Sequence, residues 1–263
     1  MSTAVKIMKY ELSDVVRSRW LVAYTLFFLV VTDALLRFAG DGSKALLSLM
    51  NVVLIIIPLV NIVFGTMYLY NAREFVELLL AQPVGRPQMF AGLYGGLTIP
   101  LSSGFLAGVG IPFFIHGLSD ASQRGTLVAL LATGVALTFV FTALAFVISV
   151  RFEEKVKGLG VAIALWLVTA VLYDGAVLFL ATMFADYPLE RPLLGLMLAN
   201  PVDLARVVLL LQFDVSALMG YTGAVFKSFF GGAAGQAIAA LTLVLWTVLP
   251  LALGARAFRR KDF

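Results

Sequence analysis

Long apolar runs separated by short polar breaks organise this chain. Runs at about Leu21–Phe38, Ala45–Tyr70, Phe90–Phe114, Thr126–Val150, Gly158–Phe184 and Gly232–Ala257 each carry enough apolar residues to cross a bilayer, since a spanning helix needs roughly 20 of them. They lack the roughly ten-residue alternating segments of a transmembrane barrel. Helices, which satisfy their backbone hydrogen bonds internally, are therefore predicted. The expected fold is an all-α integral membrane protein with six transmembrane helices, organised as one transmembrane domain over residues 1–263.

The breaks between the runs differ in character. Residues 1–20 place Lys6, Lys9, Glu11, Asp14, Arg17 and Arg19 among Val5, Ile7, Met8, Leu12, Val15 and Val16, the pattern of an amphipathic helix at a membrane interface. Residues 71–90 form a polar island. Its first half reads as a short helix with Arg73, Glu74 and Glu77 outward and Phe75, Leu78 and Leu79 available for packing. Pro83, Gly85 and Pro87 are expected to end that helix. Residues 185–230 are amphipathic rather than spanning, and Asn200-Pro201-Val202-Asp203 has the form of a helix start: a capping amide, proline in the first turn and an early acid. In the third run the pairs Gly92/Gly96 and Gly104/Gly108 lie four apart, which lets neighbouring backbones approach and predicts a buried helix.

Composition agrees with this pattern: 61% of the 263 residues are hydrophobic and 13% charged, with a net charge of +4. The basic residues sit at run ends, so they set topology and meet lipid headgroups rather than nucleic acid. Thirteen of the 19 Lys and Arg fall in residues 1–20, the island, Arg151–Lys157 and Arg256–Lys261; the remaining six are Arg37, Lys44, Arg124, Arg191, Arg206 and Lys227. This asymmetry predicts both termini and the island on the cytoplasmic side and residues 185–230 on the outer face.

Candidate chemistry is sparse. The absence of cysteine excludes thiolate metal sites and thiol catalysis. His116 is the single histidine and reads as a polar loop residue. Met183, Met197 and Met219 scatter near the outer face and read as packing residues. Tyr173-Asp174 is half of an intramembrane aspartyl protease signature, but the Gly-x-Gly-Asp partner is missing. No phosphate-binding Gly-x-x-x-x-Gly-Lys-Ser/Thr loop occurs, so any ATP-driven motor is a separate polypeptide. No catalytic or metal site is expected. Asp33 and Asp174 stand out because ionisable residues inside spans are costly. Arg37, four residues from Asp33, offers it a local ion pair. Asp174 has no basic residue nearby in sequence, and two roles stay open for it: lining an outward-facing cavity or hydrogen-bonded packing.

The arrangement resembles the ABC type-2 transporter permeases, whose members combine an amphipathic amino-terminal helix, six spans, a polar island after the second and an outer amphipathic segment between the fifth and sixth. Glu77-Leu-Leu-Leu-Ala-Gln-Pro-Val-Gly-Arg86 is similar to that family's Leu-Leu-x-x-Pro-Leu/Val-x-Arg segment. Within the family the chain resembles the NosY group. Lys9-Tyr-Glu-Leu-Ser-Asp-Val-Val-Arg-Ser-Arg-Trp20, Asp174 in the fifth span, and Leu198-Ala-Asn-Pro-Val-Asp-Leu-Ala-Arg206 carry that likeness. One stretch departs: Ala72-Arg73-Glu74-Phe75 stands where relatives carry an acidic run followed by Gly-Thr.

The resemblance implies a permease subunit in a bacterial cytoplasmic membrane, linked to maturation of nitrous oxide reductase or another multicopper enzyme. It implies a homodimer with a separate cytosolic ATPase, which would hold the ATP and magnesium, and a periplasmic partner. Arg73, Glu74, Glu77, Leu78, Leu79 and Arg86 are then the ATPase-coupling residues. Asn200, Pro201, Asp203 and Arg206 form the outer-face motif. The same architecture with a drug, lipid or peptide as cargo is the alternative. A secondary transporter driven by protons through Asp33 and Asp174 would need inverted repeats and helices broken at the midplane, and neither is visible in the sequence.

Overall fold

The computed structural model describes residues 3–80, 85–116, 121–184, 190–213 and 229–260. These residues are helical throughout: α1 (Thr3–Arg17), α2 (Arg19–Phe38), α3 (Gly42–Asn71), α4 (Arg73–Leu80), α5 (Arg86–His116), α6 (Ala121–Arg151), α7 (Lys155–Leu167), a π-helical turn (Val168–Leu172), α8 (Tyr173–Met183), α9 (Glu190–Ala199), α10 (Pro201–Gln212) and α11 (Ala233–Arg260). Among the described residues, six helical stretches are long and apolar enough to cross a membrane: α2, α3, α5, α6 from Gln123, the continuous α7–α8 stretch, and α11. Expected and observed spans coincide to within a few residues at each end.

The six are not equivalent. Half or more of the apolar windows of α3, α5 and α6 is buried, against about a fifth of those of α2 and α11 and 11% of that of α7–α8. The centre is therefore built from α3, α5 and α6, with α1 and α2 along α5, α7 along α3, and α11 along α6. Small residues make these approaches possible. A Cβ on Gly96 would lie 2.4 Å from the Glu11 Cβ, and one on Gly108 would lie 2.7 Å from the Thr25 carbonyl oxygen of α2. The glycine pairs of the third run thus mark real close contacts of α5 with α1 and α2.

Several buried polar side chains in the spans turn back on their own helices. Asn61 Nδ2 donates to the Ile57 carbonyl at 2.7 Å, and the hydroxyls of Thr66, Thr138 and Ser149 donate to carbonyls one turn earlier. Such local bonds satisfy polar groups that lipid or apolar side chains could not.

Between α2 and α3 the chain turns at Gly40 (φ +69°), in the left-handed region where glycine carries no steric penalty. Asp41 then caps α3 by accepting from the Ser43 amide. Helix α5 begins at Arg86, four residues before the expected boundary. Pro87 therefore opens α5 instead of ending α4. Proline fits a first turn, where the missing amide hydrogen has no intrahelical acceptor. Residues 81–84, with Pro83, lie outside the described residues.

Candidate functional site

One end of the bundle gathers the elements that hold most of the basic residues. The Tyr70 hydroxyl donates to the Phe152 carbonyl at 2.7 Å, Arg73 donates to the same carbonyl at 3.3 Å, and Lys155 donates to Asn71 Oδ1 at 3.0 Å. Arg86 donates to the Arg259 carbonyl at 2.9 Å, close to where the Phe90 and Phe258 rings meet. The island, the α6–α7 turn and the carboxyl-terminal end of α11 are thereby joined. Carbonyls at helix ends lack intrahelical donors, which makes them natural acceptors for these long side chains.

The island helix α4 has two faces. Val76 is buried, and Phe75 stacks on Tyr10 of α1 with ring centroids 5.6 Å apart. Glu74, Glu77 and Leu78 face outward, with Leu78 70% exposed. Three expectations change here. Leu78 is not a packing residue; Val76 and Phe75 fill that role, while Leu79 is half-buried against the core. Arg73 is not a free outward charge, because it lies over the Tyr70 ring at 4.7 Å and bonds Phe152. Arg86 is likewise engaged, on α11. The helical period groups residues 75, 76 and 79 on one face, here the inner one, and 74, 77 and 78 on the other.

Helix α1 sits in the saddle made by Gly95 and Gly96 of α5. Ile7, Glu11 and Val15, one turn apart, form its buried stripe. Glu11 is only 5% exposed and accepts a hydrogen bond from the Tyr68 hydroxyl of α3. Burial pushes its carboxyl above the usual carboxylate range, against the opposing effect of the Tyr68 bond, and neighbouring Asp14 adds to the rise. The pattern of residues 1–20 places Glu11 among the polar residues of an amphipathic helix. Its spacing of four from both Ile7 and Val15 is the signal that identifies it as an inward residue.

At the opposite end, the hairpin of α9 and α10 bends by 111° between its helices. Helix α10 has 12 residues, about 18 Å of rise, too short to cross the membrane by itself. Asn200 caps α10 with Oδ1 accepting from the Val202 amide at 3.0 Å, while its Nδ2 donates to the Thr169 carbonyl at 2.7 Å. That carbonyl lies in the π-helical turn, where the Tyr173 amide bonds back five residues to Val168. A π turn displaces the helical register and leaves a carbonyl open to outside donors. The Tyr173 hydroxyl donates to the Leu196 carbonyl at 2.8 Å, and Trp246 Nε1 of α11 donates to the Leu198 carbonyl at 3.1 Å.

The same register brings Asp174 against the hairpin. Arg206 forms an ion pair with Asp174, and its Nη1 lies 3.6 Å from Asp203 Oδ1. Asp174 therefore lacks a basic partner nearby in sequence, as expected, and meets one 32 residues away instead. Asp203 is 2% exposed, and neither of its oxygens has a hydrogen-bond donor among the described residues. Burial, reinforced by the facing Asp174 carboxyl, raises the Asp203 carboxyl well above the carboxylate range, with Arg206 and Asn200 opposing. Pro201 is buried at the helix start. Asp33 pairs with Arg37 at 2.8 Å, as its spacing predicts, and His116 Nε2 lies 3.6 Å from the other Asp33 oxygen. Rather than a loop residue, His116 is the last of α5, with Nδ1 3.0 Å from the Pro112 carbonyl.

Comparison with known proteins covers nearly the whole chain. The chain is 28% identical to a Pseudomonas aeruginosa protein described as "Probable ABC transporter permease protein NosY", over 97% of each chain. It is 27% identical to a protein of the same description from Stutzerimonas stutzeri, over 99% of each. The family model for "ABC-2 family transporter protein" matches residues 5–263. The multi-pass helical membrane protein described above therefore belongs to the ABC-2 family of transporter proteins.

Proposed function

We propose that this chain is the permease subunit of an ATP-driven ABC transporter, docking a separate cytosolic ATPase through α4 and α1. The observation that carries this reading is the two-faced helix α4. One face is fixed by Val76, the Phe75–Tyr10 stack and Arg73, while Glu74, Glu77 and Leu78 form an outward surface at the end richest in basic residues. A force on that surface passes to α1 through the Phe75–Tyr10 contact and on to α5 and α3 through Gly96 and the Glu11–Tyr68 bond. ATP and magnesium belong to the partner. The bacterial relatives support an inner membrane location, and the basic-residue asymmetry supports both termini and α4 in the cytoplasm with the α9–α10 hairpin on the outer face.

The two relatives carry the NosY name, and the resemblance to that group extends the reading to maturation of a nitrous oxide reductase-like copper enzyme, with the hairpin moving a periplasmic partner. The lipid-facing surface of α7–α8 is the least covered of the spans and suits a homodimer contact. A second reading, export of a lipophilic cargo, is favoured by an apolar cleft of about 440 Å³ between α6, α10 and α11, lined by Phe139, Val208 and Leu243.

The test is purification of the full tagged chain from its native membrane in mild detergent, beside the Glu77→Ala/Leu78→Ala variant. A soluble ATPase is expected with the unmodified chain and depleted about tenfold or more in the variant, the loss typical of removing a central contact. A co-purifying periplasmic protein supports the maturation role, and co-extracted lipid supports the second reading. Absence of any ATPase from the unmodified chain defeats the proposal.

A further inference from the structure

We infer that Asp174, Asp203 and Arg206 form a proton-binding site, in which one proton held between the two carboxyls keeps the α9–α10 hairpin closed on the fifth span. The inference concerns the hairpin alone and does not depend on the cargo.

Charge and geometry lead to it. Two carboxyls converge on one guanidinium: Arg206 pairs with Asp174 and stands 3.6 Å from Asp203 Oδ1. With both acids ionised the cluster carries one uncompensated negative charge, and Asp203, the more buried acid, has no donor to either oxygen among the described residues. Leaving a buried carboxylate in that state is among the costliest arrangements a protein can hold. A single proton on Asp203 removes the net charge and turns one oxygen into a donor facing Asp174.

No other described group brings a compensating positive charge. Asn200 is committed to Val202 and Thr169, and the Tyr173 hydroxyl to Leu196. The packed spans contain no Asp, Glu, Lys, Arg or His over residues 45–70, 126–150 and 233–255. On α9 the charged residues are Glu190 and Arg191, about 15 Å along the helix axis from Asn200. Asp174 is 43% exposed, so the cluster is not sealed inside the bundle. Ionisation of Asp203 releases H⁺ to solvent and leaves a carboxylate beside Asp174, which repels the hairpin from α8. The bonds from Asn200 and Trp246 then retain it as a loosened, folded element.

The test uses the full chain in lipid nanodiscs. Infrared difference spectra across a pH titration report the protonated-carboxyl stretch, and spin labels at Leu178→Cys and Gln212→Cys report hairpin separation; the absence of native cysteine makes such labelling selective. The expected result is a carboxyl band that persists above the ordinary carboxylate range, vanishes in Asp203→Asn, and disappears at the pH where the label separation increases. Asp203→Asn should hold the closed separation at every pH. Should that variant fail to fold, Asp174→Asn serves, with the band titrating about one pH unit or more lower once the facing charge is gone. Persistence of the band in Asp203→Asn, an unchanged titration in Asp174→Asn, a label separation indifferent to pH, or loss of the band on adding sodium or calcium at fixed pH would each overturn the inference, the last by assigning the site to a metal ion.

Discussion

The two ends of the bundle solve one problem differently. Each must hold a short amphipathic helix against a span, and each does so around a buried acid. At the α1 end the fit is steric, with a glycine saddle on α5 receiving the helix and Glu11 meeting a single neutral donor, Tyr68. At the hairpin end the fit is electrostatic, with two acids and one guanidinium closing α10 on α8. A contact set by shape transmits displacement, as a coupling element requires. One set by charge balance responds to protonation or to an ionic partner.

The largest effect that would break this contrast is steric. Gly96→Leu should dislodge α1, because even a Cβ there falls 2.4 Å from that of Glu11. A loss of about 1–3 kcal/mol is expected from overpacking, read as faster proteolysis within α1 while the remaining spans stay protected. Unchanged protection would show that shape does not hold that end.

Next comes the neutral hydrogen bond. Tyr68→Phe should weaken α1 docking by about 1–2 kcal/mol, since the buried Glu11 loses its donor. The pH dependence has a definite sign. The folded-state value of Glu11 is raised, so its contribution is complete below the ordinary carboxylate pKa and is lost as pH rises through the elevated one. Amide exchange in α1 should accelerate as pH rises upward from about 4.5, after correction for the intrinsic rate. Glu11→Gln should abolish that slope. A slope surviving in the Gln variant would place the titrating group elsewhere.

The smallest effect is expected at Asp33. Its pair with Arg37 is partly solvated, with side chains 32% and 65% exposed. Asp33→Asn should change the unfolding midpoint by the equivalent of about 0.5 kcal/mol or less. A larger loss would extend the electrostatic region beyond the Asp174 cluster.

Much of this was legible in the chain itself. The spans, the amphipathic amino-terminal helix, the island helix, the Asn200 cap and the Asp33–Arg37 pair all follow from patterns within a few turns of helix. Those features rest on local periodicity, hydrogen-bond geometry and transfer free energy, which neighbours in sequence fix among themselves. What the tertiary structure decided was which surface each helix turns inward and which distant residue waits there. Leu78 and Val76 have similar hydrophobicity, and only the seating of α4 against α1 and α3 makes one exposed and the other buried. Glu11 meets Tyr68 across 57 residues, and Asp174 meets Arg206 across 32. The second meeting lies just beyond a π turn in the fifth span. Such pairings are set by the relative rotation and depth of whole helices, quantities that arise only when the helices pack together.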